Sequence, residues 1–205
     1  MSKENTCMIG SVGTCITQET EYILNSPKDK SLLKSISITL MDVLSNNHLN
    51  EHYKKKLKSQ SKQIFTSKTI PKISLGDYIN RILKYTKIED STLIIALIYI
   101  DRFCKNKKIL LTEFNIHRIF FSALLVAIKY NEDKYYSNLY YAKIGGLKLD
   151  KLNKLESEFL LGMAFKLFID DKVYKRYETN LLCSLNECNN NEQFSILTKG
   201  VLLGY

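Results

Sequence analysis

The stretch "EDSTLIIALIYIDRFCK" at residues 89–105 most constrains what this chain can fold into. Between Leu93 and Ile100 it is apolar on every side, so other parts of the protein must surround it. Such a run could be a buried strand, because periodicity alone does not separate the two possibilities. Its length and the helical patterns on both sides favour a helix at the centre of a helical core.

Residues that break helices are scarce along the whole chain. Its 205 residues include only two prolines and eight glycines, which argues against a many-stranded sandwich and for long helices. Apolar residues recur at helical spacing in the segments that flank residues 89–105. The pattern predicts helices at 31–47, 71–87, 115–133, 137–146, 150–165, 170–184 and near 192–204.

The helix at 71–87 has a start signal, since Ser74 and Asp77 form a capping-box pattern with Asp in place of the usual Glu. The first 30 residues are polar without periodicity, and we expect them to be flexible. The lysine-rich stretch "YKKKLKSQSKQ" at 53–63 is interpreted as a solvated linker. The prediction is one all-helical domain of about seven helices.

The stretch "YYAKIGG" at 140–146 could be read as a phosphate-binding loop, because it has a basic side chain beside two glycines. No strand precedes it, so a short helix that ends at a glycine fits better. We expect Ser137 to cap this helix, and Gly145 or Gly146 to supply the left-handed residue that ends it. The predicted packing face consists of Tyr140, Tyr141 and Ile144.

The formal net charge of +9 could indicate a polyanionic partner. However, only four of the 30 basic residues are Arg. Arg supplies the bidentate fork that reads bases, so a Lys-rich charge is more typical of a solvated surface. We therefore expect no nucleic-acid partner.

A catalytic site is hard to find in this sequence. His48 and His52 lie in "HLNEH", which fits the inverted zinc-protease pattern H-x-x-E-H. That motif needs a helix with both imidazoles on one face, yet here it follows the helix-ending "SNN" and enters the lysine-rich segment. Nucleophile-elbow and P-loop patterns are absent. The expectation is a protein-binding module that is not an enzyme, with no metal and no cofactor.

The location of the protein is predicted from what the sequence lacks. The five cysteines form no C-x-x-C pair, and the longest apolar run, residues 93–100, is too short to cross a bilayer. The N-terminal stretch lacks the basic region and long apolar core of a signal peptide. We expect an intracellular protein of the cytoplasm or nucleus, without a membrane partner.

Five motifs follow one another along the helical part of the chain. They are "PKISLGDYINRILKY" (71–85), "YIDRF" (99–103), "HRIFFSALLVAIKY" (117–130), "YYSNLYYAKIGG" (135–146) and "LNKLESEFLLGMAFKL" (152–167). In this order they resemble the cyclin box, and more closely the single-box P/U-type cyclins, a group that includes the fungal phosphate-pathway cyclin. The resemblance covers about residues 31–180. It implies an all-α, single cyclin-box bundle of about five helices with an extra N-terminal helix, followed at 181–205 by a C-terminal extension that is predicted to be helical.

The resemblance implies a non-catalytic subunit that binds and activates a cyclin-dependent kinase of the phosphate-pathway type. The kinase-contacting pair of the family corresponds to Lys129 and Glu156. One of the acids Glu132 and Asp133 could pair with an arginine of the kinase activation segment. The chain departs from the family pattern at Asn131 and Glu132, which leaves the kinase partner less defined.

The remaining motif residues are expected to build the scaffold. Asp101 of "YIDR" would tie the central helix to the start of the first box helix, with Lys72 as its basic partner. Arg102, Tyr141, Gly145 and Gly146 complete the structural motif. One alternative is a cyclin-like fold that binds nucleic acid or transcription factors, which the charge of +9 would suit. Such proteins usually have two boxes, whereas this chain has one. A small enzyme that uses His48 and His52 is a second alternative.

Overall fold

The computed structural model describes residues 27–49 and 52–187, and every regular secondary-structure element within these ranges is a helix. The predicted all-α fold is therefore confirmed. The predicted helix near 192–204 and residues 1–26 of the predicted flexible segment lie outside the described residues. The helices are α1 (Pro27–His48), α2 (Tyr53–Gln60), α3 (Leu75–Tyr85), α4 (Asp90–Lys107), α5 (Ile116–Asn131), α6 (Asn138–Gly145), α7 (Leu149–Gly162) and α8 (Asp171–Glu187).

Helix α4 is the centre of the core, as its apolar sequence predicts. Tyr99 and Phe103 are fully buried, and the ring of Phe103 stacks on that of Phe159 in α7 with centroids 4.5 Å apart. Phe65 meets Phe103 edge-on at 5.0 Å. Aromatic pairs at these distances add attraction beyond the area they bury. Helices α5, α7 and α8 all pack against α4.

Helix α8, the last helix of the described residues, closes the bundle over α4 and α1. The Tyr177 hydroxyl donates a hydrogen bond of 2.7 Å to Asp101 Oδ2, and Ser35 Oγ donates one of 2.9 Å to the Leu181 carbonyl. Burial raises the pKa of the Asp101 carboxyl, against smaller lowering effects from Tyr177 and nearby cations. Asp101 therefore ties α4 to α8.

The predicted pairing of Asp101 with Lys72 is wrong. Lys72 is exposed in the segment before α3, and neither ion pair within residues 27–49 and 52–187 contains it. The physical reason is that Tyr177 of α8 already covers the Asp101 carboxylate. Helix α1 also begins at Pro27, so the predicted flexible segment 1–30 overlaps this helix by four residues.

The lysine-rich segment forms helix α2, so its interpretation as a solvated linker is wrong. Gln60 is buried, and its side chain donates to the Leu110 carbonyl at 2.9 Å and accepts from the Leu110 amide at 3.0 Å. The Tyr53 hydroxyl donates to Glu113 Oε2 at 2.8 Å. These polar bonds fix a helix that has little apolar surface to bury.

The predicted N-terminal cap of α3 and both predicted ends of α6 are confirmed. Ser74 accepts a hydrogen bond from the Asp77 amide at 3.1 Å, and Ser137 accepts one from the Tyr140 amide. Gly146 ends α6 in the left-handed region with φ +66°. Gly145 has a different reason, because a Cβ added there would lie 2.3 Å from Cε1 of Phe121. Helix α6 thus touches α5 where only glycine fits.

We predict that Gly145→Ala destabilises the fold by about 1–3 kcal/mol, because its methyl group would overlap the buried Phe121 ring. Gly76→Ala in α3 is the matched control, since a Cβ there meets nothing within 4 Å. It should be neutral or stabilising by about 0.5–1 kcal/mol. Urea unfolding of both variants measures the difference, and equal effects would contradict the packing of α6 on α5.

We also predict that Asp101→Asn gains stability relative to the wild type as the pH rises. Since the folded-state pKa of Asp101 lies above its ordinary value of 3.8, the native state holds this proton longer than the unfolded state does. The wild type then loses stability as the pH rises from about 3.8 through the folded-state pKa, and the Asn variant lacks this loss. Unfolding free energies across this range test it, and a pH-independent difference would contradict it.

Candidate partner-binding site

The two residues that the sequence predicts as a partner-contacting pair lie together on the surface. Lys129 is in the last turn of α5, and its Nζ atom lies 2.6 Å from Oε1 of Glu156 in α7. The side chains are 27% and 14% exposed. This pair is therefore partly shielded from water, and its electrostatic attraction is stronger than that of an ordinary surface pair.

Asn138 joins this pair, and sequence reasoning missed it. Its Nδ2 atom donates hydrogen bonds of 2.8 Å to Glu156 Oε2 and to Asn153 Oδ1. Both Glu156 oxygens are thus engaged within the protein, one by α5 and one by α6. The only available signal was its position directly after the capping Ser137, which places Asn138 at the start of α6. We call Lys129, Glu156, Asn138 and Asn153 the polar cluster.

Lys129 has unused hydrogen-bonding capacity at the edge of this cluster. An ammonium group carries three donors, and the structure gives Lys129 one bond among the described residues. Glu156 holds the ammonium in place, so its remaining donors can be offered to carbonyl oxygens of a docked partner. The cluster is suited to bind a peptide backbone, and within the described chain it contains no catalytic arrangement.

Glu132 has an internal role that the sequence did not indicate. Its Oε1 atom accepts hydrogen bonds from the Glu89 amide at 3.0 Å and from Thr92 Oγ1 at 2.5 Å. It therefore caps the N-terminus of α4, where a negative charge also complements the helix dipole. Asp133 beside it is exposed. A kinase contact of either acid stays a prediction.

Exposed aromatic and aliphatic side chains occur from the last turn of α5 to the first turn of α6, the stretch of chain that separates Lys129 from Asn138 and its surroundings. Tyr130 follows Lys129 directly and is 53% exposed. The ring of Tyr136 packs on that of Tyr140, with centroids 4.3 Å apart, and the Tyr136 amide donates to the Tyr141 hydroxyl. Tyr141 itself is buried, so it acts as scaffold. The exposed large apolar or aromatic side chains of this stretch are those of Tyr130, Tyr135, Tyr136 and Leu139.

A second exposed aromatic group follows α7. Phe165 and Phe168 are 63% and 75% exposed. Ala164 and Phe165 have φ values of 50° and 55°, in a region that is costly for residues with a Cβ. Strained backbone of this kind persists only where its surroundings hold it, and it is common at functional sites.

The loop at 164–168 is held by the central helix. The Tyr99 hydroxyl donates to the Leu167 carbonyl at 2.8 Å, and Arg102 Nη1 donates to the Phe168 carbonyl at 2.8 Å. Arg102 of α4 thus has a structural role, because it holds the loop in place. Burial raises the pKa of Tyr99 to about 12, and its hydroxyl also interacts with Asn131 and Tyr130. Because Tyr99 contacts both Leu167 and Asn131, the loop at 164–168 adjoins the end of α5.

The histidines of "HLNEH" form no metal site in the described part of the chain. His48 Nδ1 lies 3.5 Å from Glu113 Oε1, and its ring packs on Tyr53. Residues 27–49 and 52–187 contain no group of three or more His, Cys, Asp or Glu that could hold a metal ion. Among the same residues, no helix is both long and apolar enough to span a membrane.

Comparisons with known proteins agree with this architecture. The cyclin family pattern matches residues 29–167. The chain is 43% identical over 116 residues to cyclin-U2-2 of Arabidopsis thaliana, which covers 56% of this chain and 50% of that protein. It is 36% identical over 148 residues to cyclin-U4-3 of the same plant, covering 72% of this chain and 65% of that protein.

A rice relative gives the same result. Cyclin-P4-1 of Oryza sativa subsp. japonica is 37% identical over 114 residues, covering 55% of this chain and 54% of that protein. The chain thus spans about half the length of several curated relatives that it matches. The match at 29–167 covers most of the helical bundle, including α5, α6 and α7 with the polar cluster. The chain belongs to the cyclin family, and its relatives are U-type and P-type cyclins.

Proposed function

We propose that this chain is a non-catalytic regulatory subunit that binds and activates a cyclin-dependent kinase of the phosphate-pathway type. The observation that carries the proposal is the pair formed by Lys129 and Glu156, which is partly shielded, ordered by Asn138 and followed in the sequence by the exposed Tyr130. The U-type and P-type relatives support the class of partner. An intracellular location follows from that class.

The polar cluster can recognise a backbone segment of the kinase. Lys129 keeps its geometry through Glu156, so little side-chain freedom is lost when its free donors bind carbonyl oxygens. The mobile helix of the kinase is the element that such a contact would hold in its active position. In this role, Glu156 acts mainly by positioning Lys129, because both of its oxygens already accept hydrogen bonds.

The energy needed for activation exceeds what the charged pair supplies. Shifting a two-state equilibrium from about 1:99 to 99:1 takes about 5.5 kcal/mol of differential binding, whereas a hydrogen bond from a charged group such as the Lys129 ammonium gives about 1.5–3 kcal/mol. A stable complex buries about 1,200–2,000 Å². We infer that Tyr130, Phe165 and Phe168 contribute much of this contact, because exposed aromatic side chains often dominate binding energies.

We predict that Lys129→Ala with Glu156→Ala abolishes kinase activation while the melting temperature changes little, because removing both charges leaves neither one unpaired. The matched control is Lys154→Ala with Glu158→Ala. Both of these residues are exposed, and they lie about 200° around α7 from Glu156. The assay reconstitutes each variant with purified cyclin-dependent kinases from the same cells and measures phosphate transfer to a peptide.

Full kinase activation by the Lys129 and Glu156 double variant would contradict the assignment of these residues to the kinase interface. An equal loss of activation in the control variant would contradict it as well. If no kinase of the panel is activated by the wild type, the proposed function itself is wrong. In that case, a salt-dependent gel shift tests the alternative of a nucleic-acid-binding module, because phosphate contacts weaken steeply with added salt.

We also predict that Tyr130→Ala and Phe168→Ala each weaken kinase binding by at least tenfold, since each would remove an aromatic contact worth about 2 kcal/mol. Ile70→Ala is the control, because Ile70 is also 53% exposed but lies before α3, next to Pro71 and distant in sequence from the polar cluster. Surface plasmon resonance with the purified kinase measures the three affinities. Unchanged kinase binding by both aromatic variants would exclude Tyr130 and Phe168 from the interface.

A further inference from the structure

A strongly basic surface, distinct from the polar cluster, is formed by helix α2 and the end of α4. Helix α2 and the end of α4 form one face, because Lys56 Nζ donates to the Lys108 carbonyl at 3.2 Å and Gln60 clamps Leu110. No acidic residue occurs from 52 to 68 or from 102 to 112. We call this surface the lysine face, and its members are Lys54, Lys55, Lys56, Lys58, Lys62, Lys105, Lys107 and Lys108.

No salt bridge neutralises the lysine face within the described chain, although Lys105 lies close enough to Asp101 to lower the pKa of that carboxyl. Seven of its eight lysines are exposed, and Lys56 is half-buried. The two ion pairs among residues 27–49 and 52–187 are His48 with Glu113 and Lys129 with Glu156, so neither contains a member of this face. Like charges gathered on α2 and at the end of α4 repel one another, and an anionic partner would relieve that repulsion.

Helix stability explains only part of this arrangement. Lys105 and Lys107 lie in the last turn of α4, where a positive charge complements the helix dipole. The lysines at 54, 55 and 56 lie in the first turn of α2, where the dipole is positive and acids are favoured instead. The first turn of α2 contains no acid. These three lysines therefore weaken the helix that carries them.

The lysine face is nevertheless held rigidly. Gln60 makes two buried hydrogen bonds to the backbone of Leu110, and the Tyr53 hydroxyl binds Glu113. The Gln60 carbonyl also accepts a hydrogen bond of 2.8 Å from Thr66 Oγ1. Rigid placement lowers the entropy that binding would cost. A stretch of merely solvated lysines would not need to be fixed to the core at both ends of its helix.

We propose that the lysine face binds a multiply phosphorylated segment of another protein. Each phosphoserine carries a charge of about −1.5 to −2, so about four of them match eight lysines, whereas carboxylates would need twice as many residues. The ammonium group of lysine binds phosphate as a point charge without demanding one fixed geometry. The face therefore suits a flexible chain whose phosphates are irregularly spaced.

The composition of the face disfavours other polyanions. Single-stranded nucleic acids need exposed aromatic rings for stacking, and Tyr53, Phe65 and Phe103 of these segments are all buried. Binding to a lipid surface needs apolar side chains that enter the bilayer. No residue from 52 to 68 or from 102 to 112 is an exposed large hydrophobic one. Arg102 is the only arginine there, and it is engaged with the loop at 164–168.

The lysine face is separate from the polar cluster. Asn115, directly before α5, donates a hydrogen bond to the Leu110 carbonyl beside the lysine face. Helix α5 then runs from there to Lys129, a distance of about 20 Å for its 13 residues. If the proposed function holds, both surfaces can be occupied at once. A partly phosphorylated kinase substrate that binds the lysine face would be held close to the kinase, at a raised local concentration.

The test is direct binding of the full chain, without kinase, to a fluorescent peptide that contains four phosphoserines, followed by anisotropy. We predict that Lys54→Gln, Lys55→Gln and Lys58→Gln together weaken binding at least tenfold. The control carries Lys87→Gln, Lys143→Gln and Lys148→Gln, which remove the same charge from exposed positions elsewhere. The control should bind within twofold of the wild type. Circular dichroism with thermal melts verifies that both variants are folded.

Four outcomes would overturn the proposal. These are no binding by the wild type at about 100 mM salt, equal losses in both variants, equally tight binding of a Glu peptide with the same net charge, or tighter binding of an equally charged single-stranded DNA or anionic vesicle. Since the kinase is absent from this assay, its result does not depend on the proposed kinase partnership. Failure of kinase activation would leave peptide binding intact.

Discussion

The rest of the structure depends on the burial of one helix on all its sides. Helix α4 has no polar face between Leu93 and Ile100, so it is stable only when other helices cover it completely. Helices α5, α7 and α8 provide this cover, and each is fixed by contacts to α4 such as Phe103 on Phe159 and Asp101 with Tyr177. The positions of all surface groups follow from this packing.

The polar cluster is a consequence of that arrangement. Because α5 and α7 both pack on α4 and on each other, Lys129 and Glu156 meet although 27 residues separate them in the sequence. Asn138 of α6 completes the cluster, and Gly145 permits α6 to approach α5. The same central helix holds the strained loop at 164–168 through Tyr99 and Arg102. A single packed core thus positions the surface that we propose as the partner-binding site.

Sequence patterns predicted the parts that obey local rules. The central helix α4 was predicted from periodicity, the cap at Ser74 from capping preference, and the helix end at Gly146 from backbone preference. These rules act within a few residues. Sequence patterns could not predict helix α2, the capping role of Glu132 or the hydrogen bonds of Asn138. Each depends on a few hydrogen bonds between distant segments, and such bonds leave no periodic signal.

The central claim is that the surface around Lys129 binds the catalytic subunit of a cyclin-dependent kinase. Hydrogen–deuterium exchange of this chain, alone and with the purified kinase that it activates, tests this most directly. The account predicts new protection at 128–139 and 153–168, and none at 53–62 or 105–110, which the lysine face occupies. Protection confined to the lysine face, with the surface around Lys129 unchanged, would contradict it.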